Sequence, residues 1–402
     1  MSLPSCVILN YTPKQELFNR IHKFQKLLIK NCINGALIVQ KADLFYFSGT
    51  CQNAHLFIPD EGEPLLMVKK SFERAQAESS INNIIPVQSL EEIPKNIFSQ
   101  FKRLDKIGIE MDVLPANIYI KYKSAFQPSE LVDVSMLIRE IRSIKSTYEL
   151  DKLKKAANLN FAMFSKVSSI LKEGIREIDL AAQLEAVYRV GGHQGAIRMR
   201  AFNQEVYYGH ILSGWNSAYP SFFGGPTGGT GVSPAYPQSA GFKTINKNEP
   251  IKVDYVGVCD GYMVDQARIF CIGNLPEKLI KAHEIAIKIK NHIIKETRPG
   301  MNGKDLYNMA YNIAVDSGNK DYFMGYTEDK INFIAHGIGV ELDELPLITQ
   351  STDVTLKPGM VFAVEPSFIF PNEGAVGVED TMVLTATGFE QITYFDDPIT
   401  YS

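Results

Sequence analysis

The sequence is poor in the features that make disulfide frameworks, membrane spans and one-signed binding surfaces. Five cysteines (Cys6, Cys32, Cys51, Cys259 and Cys271) are scattered over 402 residues with no CxxC pair. That spread suits reduced thiols and argues against a disulfide frame or a thiolate metal site. No apolar run approaches the roughly 18 residues needed to cross a bilayer, and the opening MSLPSCVILNYTPKQ lacks the basic segment and apolar length of a signal peptide. Neither sign of charge dominates. Lys and Arg number 41 against 45 Asp and Glu, a formal −4, so no basic excess exists to hold nucleic acid or an anionic membrane. What remains is ordinary globular composition, 45% hydrophobic and 21% charged, long enough for two or three domains with sizeable cores. A soluble, cytoplasmic protein acting on a small partner is the expectation.

Residues 15–135 alternate between helical and strand patterns, the mark of an α/β domain. Leu17, Ile21, Phe24, Leu27 and Leu28 share one face at helical spacing, and that face is expected on this domain's sheet rather than on a membrane. Strand-like runs follow at 36–40, 55–58, 65–68, 84–87 and 107–110, separated by turns such as Pro59-Asp60-Glu61-Gly62. The charged stretch 137–160 contains no Gly or Pro and predicts a helix joining the first domain, residues 1–140, to a second, residues 141–402. Further helices are expected over 178–190 and 277–295, the latter with its Lys-rich face in solvent. Residues 222–242, rich in Gly and Pro and without charge, read as a long loop, a lid or a disordered excursion. No GK[ST] closes it, so it is no phosphate-binding loop.

Two similar units carry the chemistry. PIKVDYVGVCDGYMVDQARIF places Asp254 and Asp265 in the arms of a hairpin, symmetric about 259.5. MVFAVEPSFIFPNEGAVGVEDTMVLT places Glu365 and Glu379 symmetrically about 372. Residues symmetric about an antiparallel turn face each other, so each hairpin is expected to set two carboxylates side by side. Opposed like charges destabilise a strand pair, and burying them unpaired costs several kcal/mol each or forces protonation. A divalent cation between them removes both problems. His336, in FIAHGIGVELDELP beside Gly337 and Gly339, adds an imidazole. Four carboxylates and one histidine favour manganese, iron, cobalt or zinc in a two-metal cluster, which can lower the pKa of a shared water and polarise a carbonyl.

The order Asp, Asp, His, Glu, Glu resembles the pita-bread metallopeptidases: methionine aminopeptidase, prolidase, aminopeptidase P and the metal-free relative creatinase. The matching text is VDYVGVCDGYMVDQAR, AHGIGVELDELP, LKPGMVFAVEPSF and GVEDTMVLT, and REIRSIKSTYEL resembles the junction after the family's N-terminal domain. The resemblance implies a creatinase-type N-terminal domain and a pita-bread catalytic domain with pseudo-twofold symmetry. It implies Asp254, Asp265, His336, Glu365 and Glu379 as ligands of two divalent ions, manganese foremost, with Asp265 and Glu379 bridging. Glu365 becomes the proton shuttle, a small peptide the substrate and a homodimer the expected assembly.

Three positions depart from the family. Ser221 or Phe222 stands where the peptidases carry a histidine, Asp343 stands where they carry a second, and Gly377 replaces an arginine that supports the cluster. Losing such a donor costs about 10²–10³-fold in rate unless it is replaced. His210 and Asp343 are the candidate substitutes, with Tyr208, Arg198 and Arg200 bordering the same segment. The leading expectation is a two-metal hydrolase of the Xaa-Pro peptidase type. A metal-dependent lyase or amidinohydrolase-like enzyme, and a binding protein on the same fold, are the alternatives.

Overall fold

The computed structural model describes residues 9–402; Cys6 and the first residues of the opening MSLPSCVILNYTPKQ lie outside them. The chain divides into two compact units at Arg142/Ser143.

The first unit is a six-stranded mixed sheet. Its elements run α1 (Lys14–Lys30), β1 (Gly35–Ile38), α2 (Lys41–Ser48), β2 (Asn53–Pro59), β3 (Leu65–Lys70), α3 (Phe72–Glu78), β4 (Asn83–Pro86), α4 (Glu92–Gln100), β5 (Lys106–Ile109), α5 (Ala116–Ala125), β6 (Glu130–Asp133) and α6 (Ser135–Ser143). The strand order is β4-β3-β2-β1-β5-β6. Alternation along the strands divides the core in two. Ala36, Ile38, Leu56, Ile58, Leu66 and Val68 pack with Ile21, Phe24 and Leu28 of α1. Leu37, Phe57, Met67, Ile107 and Ile109 pack with Ile97 of α4 and Tyr122 of α5. The apolar face of α1 therefore lies on its own sheet. Strand β6 escapes the apolar pattern because ELVD is a short edge strand with only two apolar residues.

The helix expected over 137–160 is broken. α6 ends at Ser143, Ile144 forms a bridge to Met360, and α7 (Thr147–Ile170) restarts from Ser146. Ser146 and Glu149 make a capping box, satisfying the helix's first free N–H groups. Absence of Gly and Pro left this interruption invisible; the Ser-x-x-Glu motif marks it.

The second unit repeats one plan: two helices, then a three-stranded meander. α7 and α8 (Glu177–Val190) precede the short strands β7 (Ala196–Ile197) and β8 (Val206–Tyr207), then β9 (Gly209–Ser213), β10 (Ile251–Cys259) and β11 (Tyr262–Cys271). α9 (Glu277–Glu296) and α10 (Gly303–Asp316) precede β12 (Phe333–Gly337), β13 (Glu344–Thr349) and β14 (Val361–Val364). The small hairpin β15 (Ser367–Phe370) and β16 (Gly374–Gly377) leads to β17 (Glu379–Leu384), β18 (Phe389–Gln391) and β19 (Thr400–Tyr401). The main path of the sheet is β13-β12-β14-β17-β11-β10-β9, so β9-β10-β11 and β12-β14-β17 mirror one another about the β11–β17 seam. Val253 and Tyr255 point to a core with α7 and α8, and Phe362, Val364 and Met382 to one with α9 and α10. The residues alternating with these, Asp254, Ala363, Thr381 and Glu379, occupy the opposite face. The loop 222–242 is packed rather than disordered: Gly229 N–H donates to Tyr219 O, Thr230 N–H to Asn216 Oδ1 and Ser239 N–H to Gly228 O.

Candidate metal centre

The two hairpins behave differently. In the first, Cys259 pairs with Tyr262 across a two-residue Asp260-Gly261 turn, both residues with positive φ, the signature of a tight hairpin. The turn is therefore centred one residue later than the symmetry about 259.5 assumed. Asp254 faces Ala267, and Asp265 faces Val256. The two aspartates share a face but lie diagonally, not side by side. In the second, Val364 pairs with Asp380 and Ser367 with Gly377. Both pairs are symmetric about residue 372, so the register brings Glu365 opposite Glu379.

The strands join these pieces into rows. His210 of β9 faces Asp254 of β10, Asp254 faces Ala267 of β11, and Ala267 faces Glu379 of β17, with Glu365 beyond. On the neighbouring row, His336 faces Ala363, which faces Thr381. Thr381 Oγ1 accepts the Asp265 N–H at 2.8 Å and donates to its carbonyl at 2.9 Å, locking Asp265 in place. The close approach of β9 needs glycine: a Cβ on Gly209, whose φ is +149°, would fall 2.2 Å from Asp254 O.

Ligand atoms of Asp265, His336 and Glu379 converge within 4.8 Å of one another, and all three residues are buried. His336 Nε2 lies 3.8 Å from Glu365 and 3.9 Å from Glu379. Its Nδ1 is held by the carbonyls of Gly337 and Leu342, with Asp343 Oδ1 at 3.4 Å. Such outer partners fix the tautomer that leaves Nε2 free to bind a metal. Burial foremost, together with mutual repulsion, pushes the carboxyls of Asp265, Glu365 and Glu379 well above their ordinary range. Three concentrated acids around an open imidazole nitrogen fit a divalent cation.

The cluster opens into a cavity of about 210 Å³. Its walls include Val206, Phe223, Pro226, Phe333, Leu342 and Leu347, so an acidic floor meets apolar sides. His210 lines it, and its Nε2 is buried without a partner. Burial keeps this imidazole below its ordinary pKa, in the neutral form. Asp343 lines the cavity with its side chain about half exposed.

Other expected residues lie elsewhere. Ser221 accepts the Phe223 N–H and lines a neighbouring pocket, and Phe222 is exposed; Phe223 reaches the cavity, edge-on to His210. Gly377 has no room for a side chain, since a Cβ there would meet Ser367 Oγ at 2.4 Å. Arg200 is buried beside Glu341, and Tyr208 is enclosed by Tyr188 and His193, so neither borders the cavity. Arg198 does not line it either.

One residue was not anticipated. Lys252 is fully buried, and its Nζ lies 2.7 Å from Asp254 Oδ2. Burial alone would lower its pKa, but Asp254, Glu379 and Glu365 hold the ammonium above its ordinary value. The signal was available: a residue two before Asp254 in a strand shares its face.

The chain matches the model of metallopeptidase family M24 over residues 151–386 and that of the creatinase/prolidase N-terminal domain over residues 20–144. It is 26% identical over 376 residues to the Xaa-Pro dipeptidase of Pyrococcus furiosus, covering 93% of this chain and 97% of that one. It is also 26% identical over 385 residues to the Xaa-Pro dipeptidase of Lactobacillus delbrueckii subsp. lactis, with 93% and 96% covered. The crystal structure of the prolidase from Pyrococcus horikoshii superposes with a TM-score of 0.78 at 25% identity, over 94% of this chain and 99% of that one. The expected two-domain pita-bread architecture is thus present. With more than half of its length matched, the chain belongs to metallopeptidase family M24 and is a metallohydrolase.

Proposed function

We propose that the protein hydrolyses short peptides of the Xaa-Pro type, using a divalent metal held by Asp265, His336, Glu365 and Glu379. Convergence of Asp265, His336 and Glu379 at the base of an apolar-walled cavity carries this reading. When bound, the metal supplies an activated water and polarises the scissile carbonyl. Manganese is the favoured ion, with cobalt, zinc or iron as alternatives. Asp254, beside this set, is the carboxylate that a second ion would need.

The chain's own residues divide the remaining work. Glu365, buried at the cavity, would as a carboxylate take the proton of the attacking water and return it to the leaving amine. His210 offers a neutral imidazole with an unpartnered Nε2 and stands in for a missing histidine as hydrogen-bond donor to the substrate carbonyl. Asp343 orients His336 and presents a carboxylate to the substrate's α-ammonium. Phe223, Phe333 and Leu347 form an apolar wall suited to a proline ring. Among the described residues, the lining contains no Lys or Arg to pair a dipeptide's free carboxylate, so tripeptides and amides belong in the test beside dipeptides.

A homodimer in a reducing, cytoplasmic compartment completes the reading. Among the described residues Cys32, Cys51, Cys259 and Cys271 form no disulfide, and no helix is long and apolar enough to cross a membrane.

The test is turnover of Xaa-Pro dipeptides, tripeptides and amides by protein reconstituted with manganese or cobalt, with His336→Ala as control. Turnover lost in the control is expected. No turnover by fully metallated wild-type protein would overturn the peptidase reading and favour lyase or amidinohydrolase-like chemistry at the same cluster.

A further inference from the structure

The cluster contains a cation of its own. Lys252 enters from β10, two residues before Asp254 and on the same face. Its cross-strand neighbours, Leu212 on β9 and Ile269 on β11, are both apolar. The side chain runs toward the carboxylates, where Nζ sits 2.7 Å from Asp254 Oδ2 and 3.4 Å from Thr227 Oγ1. Lys252 is 1% exposed, so water cannot replace Asp254 as its partner. A buried ammonium deprived of its carboxylate is strongly disfavoured.

Asp254, in turn, stands outside the converging ligand set. Among the described residues, the group whose ligand atoms close on one point is Asp265, His336 and Glu379, with Glu365 beside His336. Asp254 is already neutralised by Lys252. What remains is one imidazole and three carboxylates, a complete ligand set for one divalent ion. A second ion on Asp254 would have to share that carboxylate with an ammonium or expel it into apolar surroundings.

We infer that Lys252 is a built-in cation occupying the place of the second metal, so that this chain binds one divalent ion where a two-ion cluster is expected. This rests on the proposed ligand set, and its test separates the two.

Wild-type protein and Lys252→Met are stripped with chelator and dialysed against excess Mn²⁺. Bound metal is then counted by elemental analysis, and bound Mn²⁺ is examined by electron paramagnetic resonance. The expected result is about one ion per chain in the wild type, with the hyperfine pattern of an isolated ion. Lys252→Met, similar in length but uncharged, should take about two, with the broadened spectrum of an exchange-coupled pair. Two coupled ions in the wild type would overturn the inference while leaving the ligand set intact, and Lys252 would then only orient Asp254. One ion in both proteins would also overturn it, because Lys252 would not be what excludes the second. No bound metal in the wild type would overturn the ligand set itself and the inference with it. Should Lys252→Met fail to fold, the wild-type count and spectrum decide alone.

Discussion

Replacing Asp380 by Asn should be among the most damaging shape-conserving changes in the second unit, and the reason lies directly beneath the candidate metal centre. Asp380 points to the helix side of the sheet and is fully buried. It accepts hydrogen bonds from Arg268 Nη2 at 2.9 and 3.0 Å, Lys290 Nζ at 2.5 Å, Thr393 Oγ1 at 2.9 Å and Gln266 Nε2 at 3.1 Å. Asp397, 23% exposed, takes a second contact from each cation, at 2.5 Å from Lys290 and 3.2 Å from Arg268. Two cations thus balance two carboxylates. Asp380→Asn removes one negative charge and leaves Arg268 and Lys290 sharing one partly exposed carboxylate. Breaking a buried pair this way costs about 3–5 kcal/mol. Adding Lys290→Met removes the surplus cation, so the double variant should be more stable than Asp380→Asn, not less. Urea unfolding followed by Trp215, the chain's single tryptophan, reports this unit alone. Arg268 also donates to the Glu379 carbonyl at 2.7 Å, so the lesion should weaken metal binding about 10–100-fold. A loss under about 1 kcal/mol in Asp380→Asn, or additive losses in the double variant, would refute this account of the network.

Three further outcomes are expected. His210→Ala should lower kcat on an Xaa-Pro substrate about 10²-fold with metal content unchanged; an unaltered kcat would reduce His210 to a wall residue. Burial lowers the pKa of His283 from 6.5 to about 4, so the unfolded chain takes the proton first as pH falls. This contribution is fully present above pH 6.5, is lost between 6.5 and 4 and amounts to about 3 kcal/mol; His283→Gln should flatten the fall, as measured by urea midpoints at a series of pH values. Gly377→Ala should cost about 1–3 kcal/mol because its Cβ would meet Ser367 Oγ at 2.4 Å and Pro366 O at 2.6 Å. Gly377→Arg, although it installs the family's residue, should then lower the thermal midpoint without raising activity.

Local patterns in the sequence determined much of the site. The order of the proposed ligands reads directly along the chain, and the turns at Asp260-Gly261 and Asn372 and the two-residue alternation that sets Asp254 opposite in face to Val253 and Tyr255 each rest on residues only a few positions apart. So did the capping box at Ser146, although the unbroken charge pattern around it suggested one continuous helix. Tertiary structure decided what depends on partners far along the chain. Register placed Asp254 and Asp265 diagonally, because the turn is centred one residue later than expected and so moves every cross-strand partner by two positions, keeping the face. The β11–β17 seam, joining Ala267 to Glu379, brought the two hairpins onto one face, and the β9–β10 pairing added His210 to their row. Alternation puts Lys252 on the face of Asp254, but only the folded structure shows its ammonium 2.7 Å from Asp254 Oδ2 and shut away from water. Short-range periodicity selects the face on which a side chain lies; only long-range hydrogen bonding and packing select which charges it meets there.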